Sequence, residues 1–385
     1  MNNVSEQPQV TLDDVARSAQ VSPATASRVL NGATKVRPDL RERVLAAAAE
    51  LAYTPNAHAQ ALARASSQTV GVICHDIGDP YFAGVARGVM RAAADEGLNV
   101  ILGSTFRDPD REVAYVSMMR GQRVRAILLI GSGFEDRAWR QAMRREIAPY
   151  TAAGGRVAAV SRHQDLRLDT VLPENRAGGA ALAEAMLALG HRDFAVLTGP
   201  PRLTTVVDRL AGFQDALAKA GITLDPGHVV EGAFTRDGGF EAATELLRRG
   251  LRATCVFALT DVMAVGALAA LRGHGLAVPA DVSLAGFDDI PIIADLTPPL
   301  TTVHLPLEEL GKRVMAMALR PASPRSRVER VSGEVILRES TAPPAPRFHD
   351  GLVPGVRAVG AVPLHETYTP ALPAGPHENV ERIFE

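Results

Sequence analysis

The sequence predicts an α/β protein in which an N-terminal all-α helix-turn-helix head precedes two lobes of doubly wound parallel sheet. Three observations predict it. Residues 11–51 repeat apolar side chains at helical spacing, residues from 70 onward alternate apolar runs with helical segments, and this second pattern repeats weakly within itself. At roughly 150 residues per domain, 385 residues call for two or three folded units. A hydrophobic share of 46% is ordinary for a globular chain and excludes wholesale disorder.

The first helix carries Leu12, Val15, Ala16 and Ala19 on one face, and Thr11 with Asp14 resembles a capping box. Ser22 is a good N-cap for the second, with Pro23 at its first position, Ala26, Val29 and Leu30 inward, and Asn31-Gly32 at its end. A third helix from about Pro38 to Leu51 is expected to bury Val44, Leu45, Ala48 and Leu51. Only Ala19-Gln20-Val21 separates the first two, a turn of helix-turn-helix length, although Gln20 stands where glycine is usual. By pattern alone, an ordinary small helical domain fits equally well. The residues after Thr54 form a linker around Asn56 to Ala63, too short to be a stable helix without a partner.

Strands are expected at 70–74, 99–104, 126–131, 156–161, 194–199, 228–231, 255–259 and 282–286. Between them fall helices such as 82–96, 110–121, 174–189, 207–220, 237–249, 261–273 and 307–319. A helix ending at Gly97 before one strand resembles a helix ending at Gly221 before another, which implies two similar lobes. Ligands of such sheets bind beyond the carboxyl ends of the strands. Candidate binding segments are therefore Asp76 to Phe82, Ser161 to His163, Thr198 to Arg209, Phe234 to Asp237, Thr260-Asp261 and Phe287 to Asp289.

Past Ser340 the pattern fails, and 341–385, with its eight prolines, reads as an irregular tail without a leucine heptad. Lys plus Arg number 41 against 43 Asp plus Glu, and a slight positive excess lies within residues 1–67. That excess alone does not establish nucleic-acid binding. Cys74 and Cys255 sit apart in apolar runs, as buried thiols do. Met1 to Val10 lack the features of a signal peptide, and no apolar stretch suits a membrane, so a cytoplasmic protein is expected.

The sequence resembles the LacI/GalR family of bacterial transcription regulators over residues 11 to about 340. Seven motifs in order carry the resemblance: TLDDVARSAQVSPATASRVLNG at 11–32, YTPNAHAQALA at 53–63, VGVICHDIGDPYF at 70–82, LGHRDFAVLTGP at 189–200, DRLAGF at 208–213, TDVMAVGAL at 260–268, and VPADVSLAGFDD at 278–289 followed by PPLTTV. The resemblance implies lobes like those of periplasmic sugar-binding proteins behind a DNA-reading head. It divides the chain into an extension (1–10), a helix-turn-helix domain (11–54), a hinge helix and linker (55–69), a two-lobed effector-binding and dimerisation domain (70–340) and the tail (341–385).

By the same resemblance, the second helix enters the major groove of operator DNA, with Pro23 and Ala24 at the variable base-reading positions. Neither donates a side-chain hydrogen bond, so Arg28 is left as the group able to grip guanine bidentately. Thr11, Ser22, Thr25, Ser27 and Asn31 are expected on phosphates, and Asn56 and Leu62 in the hinge, with Leu62 wedging into the minor groove. For the effector, the implied contacts are Tyr81, Phe82, Arg162, Arg209, Phe234, Thr260 and Asp288. A sugar is the expected effector, and an inducer its expected action. A homodimer is expected to grip a pseudo-palindromic site.

Two departures stand out. Ser161-Arg162-His163 replaces the Asp-Arg of many relatives, and Arg37 stands where Ser or Thr usually caps the third helix. Phosphate-loop, nucleophile-elbow, HExxH and CxxC motifs are all missing, so neither an enzyme nor a cofactor or metal is expected. The alternative is a sugar-binding component of a transport system. It requires export, and a helix-turn-helix stands where a signal peptide would be.

Overall fold

The structure, a computed structural model, describes residues 10–31, 35–54 and 67–345. The head contains α1 (Leu12–Ser18), α2 (Pro23–Leu30) and α3 (Pro38–Glu50). They close on Val15, Ala16, Ala26, Val29, Val44 and Ala47. Thr11 and Asp14 form the expected capping box, and Ser22 accepts from the Thr25 amide at the start of α2. Gln20 adopts φ +54°, the left-handed turn conformation that glycine would take without a Cβ clash. Arg43 of α3 fixes this turn by donating to the carbonyls of Ala19 and Gln20.

One expectation for α3 is corrected. Leu45 is 46% exposed, and Ala47 is buried beside Val44. Adjacent helical residues point about 100° apart, so a face centred on Val44 continues through Ala47, Ala48 and Leu51. Arg37 gives α3 no side-chain cap and pairs instead with Asp39.

The first lobe is a six-stranded sheet made of β1 (Thr69–Cys74), β2 (Asn99–Ser104), β3 (Ala126–Ile130), β4 (Arg156–Val160), β5 (Asp169–Pro173) and a late strand, β11 (Val328–Val331). Its order is β11-β5-β4-β3-β1-β2, parallel throughout. Around it lie α4 (Pro80–Asp95), α5 (Pro109–Gly121), α6 (Arg137–Ala152) and α11 (Leu307–Leu319). β6 (Phe194–Thr198), β7 (Val229–Glu231), β8 (Cys255–Ala258) and β9 (Ser283–Ala285) build the second lobe in the order β7-β6-β8-β9, also parallel. Its helices are α7 (Asn175–Ala188), α8 (Thr204–Lys219), α9 (Arg236–Arg248) and α10 (Asp261–Gly273). An antiparallel ribbon of β10 (Thr302–His304) and β12 (Glu334–Ile336) completes the set.

Every strand expected from the sequence is present within a residue or two. Missing from that reading were α6, β5, β10, β11 and β12. The α6 signal was there, with Trp139, Met143, Ile147 and Tyr150 on its buried face, but Pro149 interrupts it. The strand VERV of β11 is half charged and lies at a sheet edge, where burial imposes no apolar run. The second lobe also extends a little past the expected end, since Ser340 is buried and the Ala342 amide donates to Ser283.

Beneath the first sheet, Glu112 of α5 is 3% exposed, and its Oε2 accepts from Trp139 Nε1 at 3.0 Å. Burial pushes its carboxyl up to about 8. The unfolded chain releases this proton near pH 4.5, so folding retains a proton and stability falls as pH rises between these values. Buried His163 and His75 are pushed down to about 4 and about 3, and they act oppositely, costing stability only below their ordinary 6.5. From pH 6.5 to 8, Glu112 therefore dominates among these three. Asp261, which burial also pushes up to about 8, adds its own fall there, so the expected outcome is that Glu112→Gln lessens the fall in melting temperature over that range without removing it, measured by calorimetry at closely spaced pH values.

Candidate functional site

Two surfaces gather the residues singled out in the sequence. On the head, Pro23, Ala24 and Arg28 lie exposed along α2, with Thr25, Ser27 and Asn31 half-buried beside them. Ser22 and Thr25 hydroxyls share a 2.9 Å hydrogen bond, and Asn31 Nδ2 donates to Ser27 Oγ at 3.2 Å. Thr11 is exposed at the start of α1. Asn56 and Leu62 lie outside the described residues.

The second surface is the cleft between the lobes, at the carboxyl ends of both sheets. Two charged knots face each other there. In the second lobe, close packing of α7 on α8 brings the parts together: a Cβ on Gly179 would lie 2.3 Å from the Arg209 carbonyl. A Cβ on Gly212 would lie 1.9 Å from that of Arg176, so both positions need glycine. Arg209, 3% exposed, then donates to Asn175 Oδ1 at 2.9 Å, to the Leu259 carbonyl at 2.6 Å and to Asp288 Oδ1 at 2.6 Å. Its guanidinium also lies 3.8 Å from the centre of the Phe287 ring. Asp288 holds φ +117° and Asp289 φ +57°. This strained pair is held by His304 and Arg338, which both donate to Asp289. Burial raises the Asp288 carboxyl and the Arg209 charge draws it back, leaving it at about 6.

In the first lobe, Asp79 caps α4 by accepting from the Tyr81 amide at 3.0 Å, which presents Tyr81 and Phe82 edge to face at 5.0 Å. Burial raises the Asp79 carboxyl, while the Tyr81 amide and Arg107 oppose the shift. Phe234 and Thr260 complete the expected set from the second lobe, Thr260 as the N-cap of α10. The cavity these groups enclose holds only about 30 Å³. Wider grooves of about 490 Å³ by α6 and about 460 Å³ along α4 lie on the outer surface. Neither groove opposes acids and arginines across two lobes.

Of the seven expected cleft residues, Arg162 alone lies outside the cavity wall. Ser161, at φ +80°, lines the cavity in its place, and this left-handed turn sends the next side chain outward. Arg162 pairs with Asp208 and Glu135, with nitrogen–oxygen distances of 3.0–3.1 Å. It belongs to a seam joining the lobes, where the Glu135 amide donates to the Arg202 carbonyl at 2.7 Å and the Thr204 amide to the Gly133 carbonyl at 3.0 Å. His75, Arg107 and Ser132 also line the cavity, unforeseen from the sequence. The strand-end rule, extended to the loops after β2 and β3, would have found the latter two. Asp79, Ser161 and Thr205 lay within the candidate segments without being singled out. His75 Nε2 donates to the Ser132 carbonyl at 3.0 Å and is kept neutral by burial and by Arg107. Among the described residues, no group of three His, Cys, Asp or Glu could hold a metal. The cleft thus offers paired donors and acceptors between aromatic walls, and these are groups that bind hydroxyls.

Comparison with known proteins agrees with both surfaces. Residues 11–56 match the family described as bacterial regulatory proteins, lacI family, and residues 183–341 match a periplasmic binding protein-like domain. The HTH-type transcriptional regulator GalS of Salmonella typhimurium is 36% identical over 82% of this chain and 90% of its own length. The ribose operon repressor of Haemophilus influenzae is 33% identical over 80% and 91%. Among solved structures, the lac repressor dimer bound to operator and the anti-inducer ONPF superposes with TM-score 0.72 at 26% identity, over 87% of this chain and 99% of that one. A CelR–cellobiose complex does so with TM-score 0.64 at 30% identity, over 86% and 100%.

The Arg209 knot makes a prediction that needs no ligand. Arg209→Ala strands a buried carboxylate and is expected to cost about 3–5 kcal/mol in urea unfolding. Adding Asp288→Asn should recover part of that loss, because the stranded charge is then removed.

Proposed function

The chain belongs to the LacI family of bacterial transcription regulators, and on that premise we propose that it is a homodimeric repressor whose grip on a pseudo-palindromic operator is set by a sugar in the interlobe cleft. Its regulatory relatives are DNA-binding proteins, and none of those compared above is named as an enzyme or transporter component. No helix among the described residues is long and apolar enough to cross a membrane. The observation that carries the effector reading is the opposition of Arg209 with Asp288 to Asp79 with Tyr81 and Phe82 across one cavity. Sugar hydroxyls both donate and accept, and so suit a guanidinium beside a carboxylate; aromatic rings suit the apolar faces of a sugar. A ribose operon repressor and a cellobiose complex among the relatives support the same class.

In this reading Arg28 reads base edges from α2, Pro23 and Ala24 shape the contact, and Thr11, Ser22, Thr25, Ser27 and Asn31 set register on phosphates. Residues 55–69 act as the hinge, in which Asn56 and Leu62 meet the minor groove. The second copy is assigned to the outer face of α4, where Ile77 and Met90 are 41% and 46% exposed beside Ala83 and Ala86. Ligand sites usually need at least about 300 Å³. A cleft of about 30 Å³ must therefore open to load, breaking the seam at Glu135, Thr204 and Arg162, and reclose around its ligand. That motion is the means by which the effector biases the head, with a coupling on the order of 1–3 kcal/mol.

Full-length protein should enrich discrete sites from its own genomic DNA, and a sugar from a thermal-shift screen should alter that binding; no site preference with or without metabolites would refute the reading. Anisotropy titrations should show operator affinity falling about a thousandfold or more between roughly 50 and 200 mM salt. Leu62→Ala should reduce operator bending in a gel-phasing assay and weaken specific binding, with sugar affinity unchanged.

A further inference from the structure

Arg107 lies in the cleft on a loop whose geometry is hard to explain by packing alone. It follows β2, and both Phe106 and Arg107 hold left-handed backbone, at φ +54° and +61°. Two such residues in succession, neither of them glycine, are unfavourable and persist only where neighbours enforce them. The enforcement is visible. The Phe106 amide donates to the His75 carbonyl at 2.6 Å, the Asp108 amide to that of Thr105 at 3.1 Å, and Asp108 caps α5 through the amides of Asp110 and Arg111.

The side chain held in this way is 13% exposed. Its guanidinium stands 5.9 Å from the Phe82 ring of the first lobe and 5.8 Å from the Phe234 ring of the second. It therefore spans the cleft. Its ion partner is Asp79, but at 3.5 Å, and the other Asp79 oxygen is already capping α4. Arg209 and Asp288, by contrast, meet at 2.6 Å. Arg107 Nε is buried with no hydrogen-bond partner among the described residues. A buried donor left unmade is costly, and buried donors in folded proteins nearly always have partners. Arg120 Nε, in its pair with Glu146 away from the cleft, is also unpartnered, but at Arg107 the orphaned donor coincides with a loose ion pair and with a position between the two lobes inside the cleft.

We propose that Arg107 is a specificity-determining residue of the cleft, donating from its Nε edge to a hydroxyl or ring oxygen of a neutral sugar, opposite Arg209 in the second lobe. The inference rests on the effector reading above and adds to it the first-lobe contact and the charge class. Two acids and two arginines line the cavity with His75 neutral, so its formal charge is zero. An uncharged ligand keeps that balance, whereas an anionic sugar would leave a surplus negative charge beside Asp79 and Asp288. A site built around a polar contact rejects an analogue that lacks the matching group.

The test uses full-length protein and isothermal titration with D-glucose, D-galactose, D-ribose, D-xylose and cellobiose. The monodeoxy analogues, uronates and phosphates of whichever sugar binds follow. Arg107→Lys keeps the charge near Asp79 without an Nε, and Arg107→Gln is the second variant should the first fail to fold by circular dichroism. The expected result is that one deoxy analogue loses tenfold or more in the wild type and twofold or less in the variant, with the neutral sugar preferred to its anionic forms. The same deoxy profile in wild type and variant, undiminished sugar affinity in the variant, or tighter binding of the uronate or phosphate would overturn the assignment. If the wild type binds none of the five sugars, the sugar reading of the cleft itself fails and the Arg107 assignment falls with it.

Discussion

A guanidinium buried as deeply as that of Arg209 needs partners for its nitrogens, and the second lobe is arranged to give each of the three one. Asn175 at the start of α7, the Leu259 carbonyl past the end of β8 and Asp288 in the loop after β9 each take a share. Three segments distant in the chain are thereby held in one geometry. Asp288 is held at a φ that its own backbone disfavours, and Asp289, locked by His304 and Arg338, keeps it there. The second-lobe wall of the cleft is thus preorganised before any ligand arrives.

The first lobe is less tightly settled at the same place. Asp79 divides its oxygens between a helix cap and a 3.5 Å contact with Arg107, whose Nε has no partner among the described residues. Closure is held instead by the seam of Gly133 to Glu135 against Arg202 to Thr204 and by the half-exposed Arg162 pairs. Ion pairs of that exposure are each worth about 1 kcal/mol or less. A few backbone hydrogen bonds and such pairs form a barrier that ligand binding can offset. The balance between rigid and yielding walls is what a cleft needs if occupancy is to move one lobe against the other.

The sequence made the architecture legible wherever burial forced a period. The strands buried on both faces, such as AILLI in β3, and the amphipathic helices of both lobes other than α6, which Pro149 interrupts, could be read directly. The strands β5, β11 and the β10–β12 ribbon could not, because they are too short or too polar to repeat. Six of the seven expected cleft residues do line the cavity. Arg162 does not, and the cause is one left-handed residue, Ser161, that no side-chain pattern announces. Arg107 is absent from that set because the candidate segments omit the loop after β2, although the strand-end rule covers it.

The helix α4 shows how one element can couple distant events. Its first turn carries Tyr81 and Phe82 into the cleft, while Ala83, Met90 and the preceding Ile77 face outward along the groove proposed above for a second copy. Residues about 100° apart on one helix cannot move independently, since its backbone hydrogen bonds hold them as a rigid body. Any shift of the first lobe that reseats Tyr81 on a ligand therefore also shifts the outer face of α4, where the second copy of the proposed dimer would sit. The first lobe's sheet begins at Thr69, directly after residues 55–68, so in the proposed dimer relative motion of the two first lobes would change the spacing of the two chain segments that lead to the heads. DNA half-sites are fixed at helical-repeat spacing, and a change of spacing on the protein side alone is enough to weaken the fit.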